Sequence, residues 1–419
     1  MRQEDNEMVP LEDVQRVVLG SCSPLTPVNA ELSAALGLVL AADVRAPRDL
    51  PPFANTAMDG YAVRAVDTAA APVELSVTGL LAAGMAPSDA VEPGTAIQIM
   101  TGAPMPEGAD AIAIVERTEP GSAKGSVRVL EAVAPGDFVR PAGSDLRQGD
   151  LAVPEGTLLG PAHISLLASV DAQSVLAYRR PKVGVLSTGD ELADVAAPLG
   201  PGQIRDSNRQ GLLAALQRDG FVGVDLGVRR DEEAAISAAL KEGVNSCDAV
   251  ITSGGVSMGE FDFVKVALAA LVAEAGGQVH QFKVAIRPAK PFSFAAVATP
   301  LGTVPVFGLP GNPVSSMVSY QVIALPALRW LAGYRSPLAR RLPAIAADGF
   351  ARQPDGKLHL VRVIAAMGPD GRIVVRSAGS QGSHQLAALS AANALALLPD
   401  GKGIGTGEEI QVLLLGALE

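Results

Sequence analysis

Apolar and polar positions between residues 181 and 331 follow two alternating patterns. Continuous apolar runs at residues 183–186, 222–228, 249–252 and 304–307 are typical of strands buried on both faces. Segments with apolar residues every three or four positions follow, and they predict helices over 209–218, from 263 and over 314–330. Asp231 and Gly243 are expected to cap and close one further helix. The alternation predicts a central doubly wound, mostly parallel sheet domain at 181–331.

The segments on either side of residues 181–331 show a different spacing of apolar residues. Residues 1–47 and 147–180 show helical spacing, including residues 30–39, and predict a helical linker domain. Residues 48–146 carry short β-type runs between Pro and Gly turns, which predicts a β-rich domain inserted into the helical one. Alternating positions from 335 to 419 predict a small C-terminal β-barrel. The chain is therefore expected to be a multidomain α/β plus β protein.

Composition narrows the class of protein. The 419 residues are 48% hydrophobic and 18% charged, which suits a folded chain, and the formal net charge of −11 argues against nucleic-acid binding. The only two cysteines, Cys22 and Cys247, indicate neither a disulfide framework nor a zinc site. The N-terminus is acidic, and no segment suits a signal peptide or a membrane span. We expect a cytoplasmic protein without a membrane partner.

Three loops rich in Gly and hydroxyl residues follow strands of the central domain. Because ligands bind beyond the carboxyl ends of parallel strands, these loops are candidates to present backbone N–H groups to phosphate oxygens. Each alone could be a tight turn, whereas three at one sheet edge favour a site. The candidate substrate-binding residues are Ser187, Thr188, Gly189 and Asp190 in the first loop, Ser253, Gly254, Gly255 and Ser257 in the second, and Pro310, Gly311, Asn312 and Pro313 in the third.

Charged residues accompany these loops. The carboxylates are Asp190, Glu191, Asp206, Asp231 and Asp262. A few carboxylates with phosphate oxygens suit Mg²⁺, although Asp231 could equally be an N-cap and Asp190 a turn former. Lys283, Arg287 and Lys290 form a cationic segment. If residues 284–286 form a strand, Lys283 and Arg287 share one face and could receive an anion, the alternative being a solvated edge.

One motif points elsewhere. Residues 255–259, GVSMG, match the G-x-S-x-G pattern of hydrolases. In that pattern the serine directly follows its strand and has acid and histidine partners. Ser253 and Gly254 intervene here, and His280 falls at the start of a predicted strand, so the motif does not indicate a hydrolase.

Several longer segments carry a family resemblance. They are PPFANTAMDGYA at 51–62, MTGAP at 100–104, GADA at 108–111, STGDEL at 187–192, SGGVSMGEFD at 253–262 and LPGNP at 309–313. With these motifs, in this order over roughly residues 45–332, the chain resembles the MoeA family of molybdopterin molybdenumtransferases, which is related to the gephyrin E domain. The resemblance implies insertion of molybdenum from molybdate into adenylylated molybdopterin, with Mg²⁺-assisted release of AMP.

The resemblance also implies roles for residues. Asp59, Thr101, Asp145, Glu191, Lys283 and Arg287 match catalytic positions, and Glu191, Asp231 and Asp262 match the metal and pterin pocket. Ser383 and Arg362 match positions that reach substrate or molybdate, and Pro310 and Pro313 match the pocket wall. Lys290 is a candidate substrate-binding residue as part of the cationic segment. The resemblance further implies a homodimer with shared active sites, and the pterin adenylyltransferase and molybdoenzyme maturation proteins as partners.

The sequence departs from the family at a few positions. Arg287 replaces a lysine, Ala289 a glycine, and Ser144 stands where glutamate is frequent. Two alternatives to the transferase stay open: a non-catalytic gephyrin-like scaffold and a pterin adenylyltransferase. The retained carboxylates favour catalysis, and the adenylyltransferase would account for the central domain alone.

Overall fold

The computed structural model describes residues 7–193, 198–255, 263–300 and 302–418. Contacts divide the chain into two compact units. The first comprises Met1–Val28, Gly37–Val39 and Ala177–Glu419, and the second comprises Asn29–Leu36 and Leu40–Leu176. None of the helices in these described ranges is both long and apolar enough to span a bilayer.

A six-stranded sheet forms the centre of the first unit. Its strands, in spatial order, are Val222–Arg229, Lys182–Thr188, Ala249–Ser253, Gly302–Leu309, Pro291–Thr299 and Gly277–Lys283. The first four run parallel, as predicted. Pro291–Thr299 pairs antiparallel with both Gly302–Leu309 and Gly277–Lys283, because short connections join these three strands into a meander, which the apolar pattern did not predict.

Both faces of this sheet are covered by helices. The helices are Ser207–Arg218, Glu233–Ser246, Phe263–Ala275, Pro313–Ser319 and Leu325–Leu331. Val183 and Val185 point into one apolar core with Leu212 and Val314, while Leu186 enters the opposite core. This alternation is the two-residue period of a strand with no solvent-exposed face, so the doubly wound prediction is confirmed.

The helix Glu233–Ser246 corrects two local expectations. Its N-cap is Glu232, without a side-chain hydrogen bond, so Asp231 is not the cap. Gly243 lies buried inside the helix rather than after it. A Cβ at Gly243 would lie 2.9 Å from Leu226 and Val250 atoms, so the glycine permits close helix-to-sheet packing.

The predicted last helix contains a π-helical segment. Tyr320–Ala324 joins Pro313–Ser319 to Leu325–Leu331. Pro326 has no N–H to donate to the carbonyl of Val322 four residues earlier. The side chain of Gln15 donates to that carbonyl instead, at 2.7 Å. Gln15 comes from the N-terminal helix Leu11–Gly20.

A closed five-stranded barrel follows, as predicted. Its strands, in order around the barrel, are Leu358–Met367, Ile373–Ser377, Leu342–Ala346, Glu409–Leu414 and Ala394–Leu398, and the last pairs with the first. The short strand Ile286–Arg287 pairs in parallel with the barrel strand Leu358–Met367. Smaller elements of this unit are the strand pairs Phe350–Ala351 with Gly403–Ile404 and Leu192–Ala193 with Ile204–Arg205, and the helix Leu386–Ser390.

The second unit is β-rich. Its main sheet has the order Ala111–Ile114, Gly60–Val63, Thr95–Ile99, Val73–Leu81, Ser126–Val129 and Thr118–Pro120. Two strand pairs add to it, Asn55–Thr56 with Val139–Arg140 and Val44–Arg45 with Leu151–Val153. The 3₁₀ turns are Ala65–Thr68 and Val115–Arg117.

The helix expected at residues 30–39 is wrong. The segment forms the strand Val28–Glu31, the 3₁₀ turn Leu32–Ala34 and the strand Val39–Leu40. Gly37 between them has φ of +77°, a conformation that a helix cannot continue through. Within residues 147–180, where the spacing also predicted helix, the structure has the helix Pro161–Ser169, and the strand Ser174–Tyr178 follows it.

Candidate functional site

A cavity of about 580 Å³ opens at the carboxyl ends of the parallel strands. This volume lies in the range of small-molecule sites. The structure brings most of the three predicted loops together in its wall, namely Ser187, Thr188, Gly189, Glu191, Ser253, Gly254, Gly255, Pro310, Gly311, Asn312 and Pro313. Asp231 lines the same cavity, whereas Ser257 and Asp262 lie outside the described residues.

The first loop sets the position of Glu191. A Cβ at Gly189 would lie 2.6 Å from Glu191 Oε2, so the carboxylate packs against a position that must lack a side chain. Gly189 also has φ of +152° and donates its N–H to the carbonyl of Arg229 at 3.1 Å. The backbone N–H of Asp231 donates to Asp190 Oδ1 at 3.3 Å. Two carboxylates, Glu191 and Asp231, therefore belong to one wall of the cavity.

The second loop packs directly on the first. Gly254 has φ of +100°, and a Cβ there would lie 2.4 Å from the carbonyl oxygen of Thr188. Its N–H donates to the carbonyl of Leu309 at 3.2 Å. The N–H groups of Gly189 and Gly254 were expected to bind phosphate. Both donate instead to carbonyls of neighbouring strands, so the expectation is wrong for these two residues. The buried Thr188 Oγ1 has no hydrogen-bond partner within the described ranges, which leaves a polar atom for a ligand.

A buried ion-pair network lies under the first loop. Asp206 Oδ1 accepts from Ser187 Oγ at 3.0 Å, and Asp206 Oδ2 accepts from Arg209 Nε at 2.8 Å. Arg209 Nη1 also pairs with Asp225. Burial alone would lower the pKa of Arg209, but its hydrogen bonds to the two carboxylates outweigh burial and raise that pKa. The network fixes the start of the helix Ser207–Arg218 against the cavity.

Sequence reasoning missed several cavity residues. Arg205, Ser207, Asn208 and His384 also line it. Asp206 accepts a hydrogen bond from the N–H of Arg209, as an N-cap does. A polar N-cap segment next to a predicted loop was the signal that could have identified the first three.

The cationic segment does not reach this cavity. Lys283 ends one strand and Arg287 ends another, with Val284 N–H bonded to the carbonyl of Lys290 between them. The expectation of a continuous strand over 284–286 is therefore wrong, and so is the argument that Lys283 and Arg287 share a face. Ala289 is buried and has φ of +80°. Glycine, which the MoeA family has at this position, adopts this conformation more readily than alanine.

Arg287 instead lines a second cavity, of about 500 Å³. Its other lining residues include Arg352, His359, Gln381 and Gly382. His384 lines the first cavity, so residues 381–384 of the barrel domain contribute to both cavities.

Arg362 is the anchor of that segment. It is fully buried, and its Nη2 donates to the carbonyls of Ser380 at 2.9 Å and Gly382 at 3.2 Å. Burial lowers its pKa. Its Nε and Nη1 have no hydrogen-bond partner in the part of the chain that the structure describes. The carbonyl of Ser383 accepts from Val314 N–H at 3.1 Å, which joins this segment to the third loop.

The second unit carries the remaining predicted residues. Asp59 and Thr101 are exposed neighbours, and Asp59 Oδ1 accepts both the N–H and the hydroxyl of Thr101. These bonds lower the pKa of Asp59. Asp145 is exposed, and its N–H donates to the carbonyl of Leu50 at 3.0 Å.

This geometry defines a class of protein. Its features are carboxylates, buried hydroxyls and glycine loops at the carboxyl ends of parallel strands, and a barrel with a buried, partly unsatisfied arginine. They are those of an α/β protein that binds a small polar ligand beyond the carboxyl ends of its parallel strands.

The comparisons with known proteins identify the family. Residues 9–170 match the MoeA N-terminal region (domain I and II), residues 184–330 a probable molybdopterin binding domain, and residues 343–415 the MoeA C-terminal region (domain IV). A molybdopterin molybdenumtransferase of Haemophilus influenzae is 37% identical over 383 residues, which cover 91% of this chain and 92% of that protein. Molybdopterin molybdenumtransferase 2 of Mycobacterium tuberculosis is 38% identical over 411 residues, covering 97% and 99%.

A crystal structure agrees with these matches. The molybdopterin biosynthesis MoeA protein of Pyrococcus horikoshii superposes with a TM-score of 0.80 at 30% identity, covering 98% of this chain and 100% of that one. The chain belongs to the MoeA family of molybdopterin molybdenumtransferases. Because the matches span residues 9–415, the adenylyltransferase alternative, which would explain the central domain alone, has no support, and neither has the scaffold.

Proposed function

We propose that this chain acts in molybdenum cofactor biosynthesis by inserting molybdenum from molybdate into adenylylated molybdopterin, with release of AMP. The observation that carries the proposal is the 580 Å³ cavity, whose wall combines Glu191 and Asp231 with the unpartnered Thr188 hydroxyl. A ligand that bears both phosphates and polar ring atoms suits such a wall. The transferase names of the full-length relatives point to the same substrates.

The carboxylates fit a Mg²⁺ ion. Mg²⁺ is usually held by one or two carboxylates together with substrate phosphates rather than by a complete protein cage. Among the described residues, no three or more His, Cys, Asp or Glu side chains form such a cage. Glu191 and Asp231 would hold the ion, with Asp262 as the third ligand that the family resemblance implies. When bound, the ion would neutralise charge on the pyrophosphate.

Molybdate is assigned to the barrel side of the site. Arg362 has two N–H-bearing atoms without partners among the described residues, and a guanidinium suits an oxyanion, although Arg362 is fully buried and lines neither the 580 Å³ nor the 500 Å³ cavity. Ser383 lies in the segment that Arg362 holds, and Arg287 lines the 500 Å³ cavity together with Gln381 and Gly382 of that segment. Lys283 stays a proposed catalytic residue and Lys290 a proposed substrate-binding residue. Because neither lines the 580 Å³ cavity, we infer that they attract the anionic substrates towards it.

The second unit is assigned to a partner subunit's site. The family resemblance implies a homodimer, so Asp59, Thr101 and Asp145 would complete the site of a second copy. We also retain the four-part division into helical linker, inserted β-rich, molybdopterin-binding and barrel domains. A cytoplasmic location beside the adenylyltransferase and the molybdoenzyme maturation proteins belongs to the same proposal.

One assay tests the activity. Purified protein is mixed with adenylylated molybdopterin, Mg²⁺ and molybdate, and AMP is measured over time. We expect AMP release to require molybdate. Release at an equal rate without molybdate or tungstate would overturn the transferase proposal.

A complementation assay tests the shared site. Asp59→Asn and Glu191→Lys are each expected to be inactive alone, since a lysine places a positive charge where the carboxylate would hold Mg²⁺. If each site draws on both subunits, mixed dimers contain one site with both native residues, and mixing restores up to about a quarter of wild-type activity, since about half of randomly re-formed dimers are mixed. No recovery in proven mixed dimers would assign both residues to one subunit.

A further inference from the structure

We propose that Asn208 is a positioning residue for the pterin substrate, which fixes the spacing of two substrate loops and offers its amide oxygen to an N–H donor of the ligand. The proposal rests on the proposed function and concerns the same cavity. Neither the family motifs nor the sequence pattern singled out this residue.

Asn208 joins two loops with one side chain. It is half-buried near the start of the helix Ser207–Arg218 and lines the 580 Å³ cavity. Its amide nitrogen donates to Ser253 Oγ at 2.8 Å and to the carbonyl of Gly311 at 2.7 Å. Ser253 ends one parallel strand, and Gly311 follows the next. A single amide group thus sets the distance between the second and third loops.

The orientation of this amide is determined by its partners. The carbonyl of Gly311 can only accept a hydrogen bond, so the amide nitrogen must face it. Both N–H groups are then used by the protein. The amide oxygen of Asn208 has no donor among the described residues, and it belongs to the cavity wall. A ligand that satisfies it must bring an N–H or O–H group.

The substrate class supplies such a donor. A pterin carries an amino group and ring N–H groups, and adenine carries an amino group. An acceptor with fixed orientation discriminates for these donors because a ligand without one leaves a polar atom unpaired. Asn208 therefore selects an amino-bearing heterocycle, whereas the nearby carboxylates serve the phosphates.

Hydrogen bonds hold the start of the helix that carries Asn208 in place without a ligand. Asp206, two residues earlier, accepts from Ser187 Oγ and from the N–H and Nε of Arg209. Ser187 belongs to the first loop. Through Asp206 and Asn208, the start of this helix is bonded to all three loops, so little side-chain entropy remains to be lost on binding.

The test replaces the amide without changing its shape. Asn208→Asp removes both N–H donors and places a carboxylate beside the Gly311 carbonyl. Asn245→Asp is the matched control, since Asn245 is an exposed amide on the helix Glu233–Ser246, away from the cavity. Equilibrium binding of molybdopterin, the KM values for adenylylated molybdopterin and for molybdate, and the Tm are measured for each protein.

We expect Asn208→Asp to raise the Kd for molybdopterin and the KM for its adenylylated form about tenfold or more. The carboxylate keeps acceptor oxygens but can donate to neither Ser253 nor Gly311, so the spacing of the two loops and the fixed orientation of the acceptor are lost. The KM for molybdate should stay within about twofold, and the control should match wild type. A general structural defect would instead lower the active fraction and leave both KM values unchanged, or it would raise both KM values together. Either result would overturn the proposal.

Two further outcomes are separable. If wild type binds molybdopterin but Asn208→Asp binds it equally well, the role of Asn208 falls and the proposed function stands. If wild type binds no molybdopterin and releases no AMP, the proposed function itself falls. Should Asn208→Asp not fold, Asn208→Ala, which removes the amide without adding charge, must show the same selective rise in pterin KM.

Discussion

Thr101 donates two hydrogen bonds to one carboxylate oxygen of Asp59, 42 residues away in the sequence, one from its N–H and one from its hydroxyl, each at 2.7 Å. Both residues are exposed, so the arrangement does not serve the core. The two bonds favour the charged form and lower the pKa of Asp59. An exposed carboxylate held in one orientation is suited to meet a partner or ligand.

Thr101→Val is expected to raise the pKa of Asp59 towards the ordinary aspartate value while leaving the backbone bond intact. The lowered pKa in the folded state means that the two bonds contribute stability above the pKa of the unfolded state, and that this contribution is lost as pH falls through the folded pKa. NMR titration of the Asp59 carboxyl carbon measures the change. Thr78→Val, which removes a weaker 3.4 Å bond to a carbonyl, is the control and should leave the Asp59 titration unchanged.

Glu191→Gln is expected to raise the Mg²⁺ concentration for half-maximal AMP release about tenfold, since one of the few carboxylates near the phosphates loses its charge. Activity is measured over a Mg²⁺ series at saturating substrates. Glu233→Gln, on an exposed residue in the first turn of a helix, should leave the Mg²⁺ curve in place. An unshifted curve for Glu191→Gln would remove this residue from the metal site.

Arg209→Met is expected to destabilise the protein by about 3–5 kcal/mol, because it leaves the buried Asp206 without its cationic partner. Urea unfolding measures the loss. Arg16→Met is the control. It breaks a surface ion pair with Asp13, whose N–O distance of 2.7 Å is close to the 2.8 Å between Arg209 and Asp206, and it should cost about 1 kcal/mol or less. Equal effects of the two variants would contradict the structural role of the Arg209 network.

Gly254→Ala is expected to disturb the cavity, since its Cβ would lie 2.4 Å from the carbonyl oxygen of Thr188. Gly220→Ala is the control: its φ of +85° carries the same left-handed strain, but nothing lies within 4 Å of the added atom. The control should cost about 1–2 kcal/mol from strain alone. Unfolding and molybdopterin binding are measured for both, and Gly254→Ala should lose more stability and bind more weakly.

Arg362→Lys is expected to raise the KM for molybdate about tenfold while leaving the KM for adenylylated molybdopterin unchanged. The variant keeps the positive charge but loses the planar guanidinium group, whose Nε and Nη1 have no hydrogen-bond partner among the described residues. Arg372→Lys, on an exposed turn, is the control. A pterin KM that rises with the molybdate KM would place Arg362 in general support of the site instead.

The sequence alone determined the main elements because strong periodicity forces them. Strands buried on both faces need largely apolar runs, as in Lys182–Thr188 and Ala249–Ser253, and the connecting helices need one apolar stripe. The placement of three glycine loops at one sheet edge followed from parallel topology. The family motifs then pointed to the chemistry, and the matches over residues 9–415 agree with them.

Tertiary structure decided what local pattern leaves open. Residues 30–39 have helical spacing but are not helical, since Gly37 and strand pairing outweigh a weak local preference. Lys283 and Arg287, close in sequence, lie on separate strands, and Arg287 turns to the barrel because its strand pairs with Leu358–Met367. Asn208 entered the site only through partners 45 and 103 residues away, Ser253 and Gly311. Hydrogen bonds between such distant residues depend on how the elements pack, and no local pattern encodes that packing.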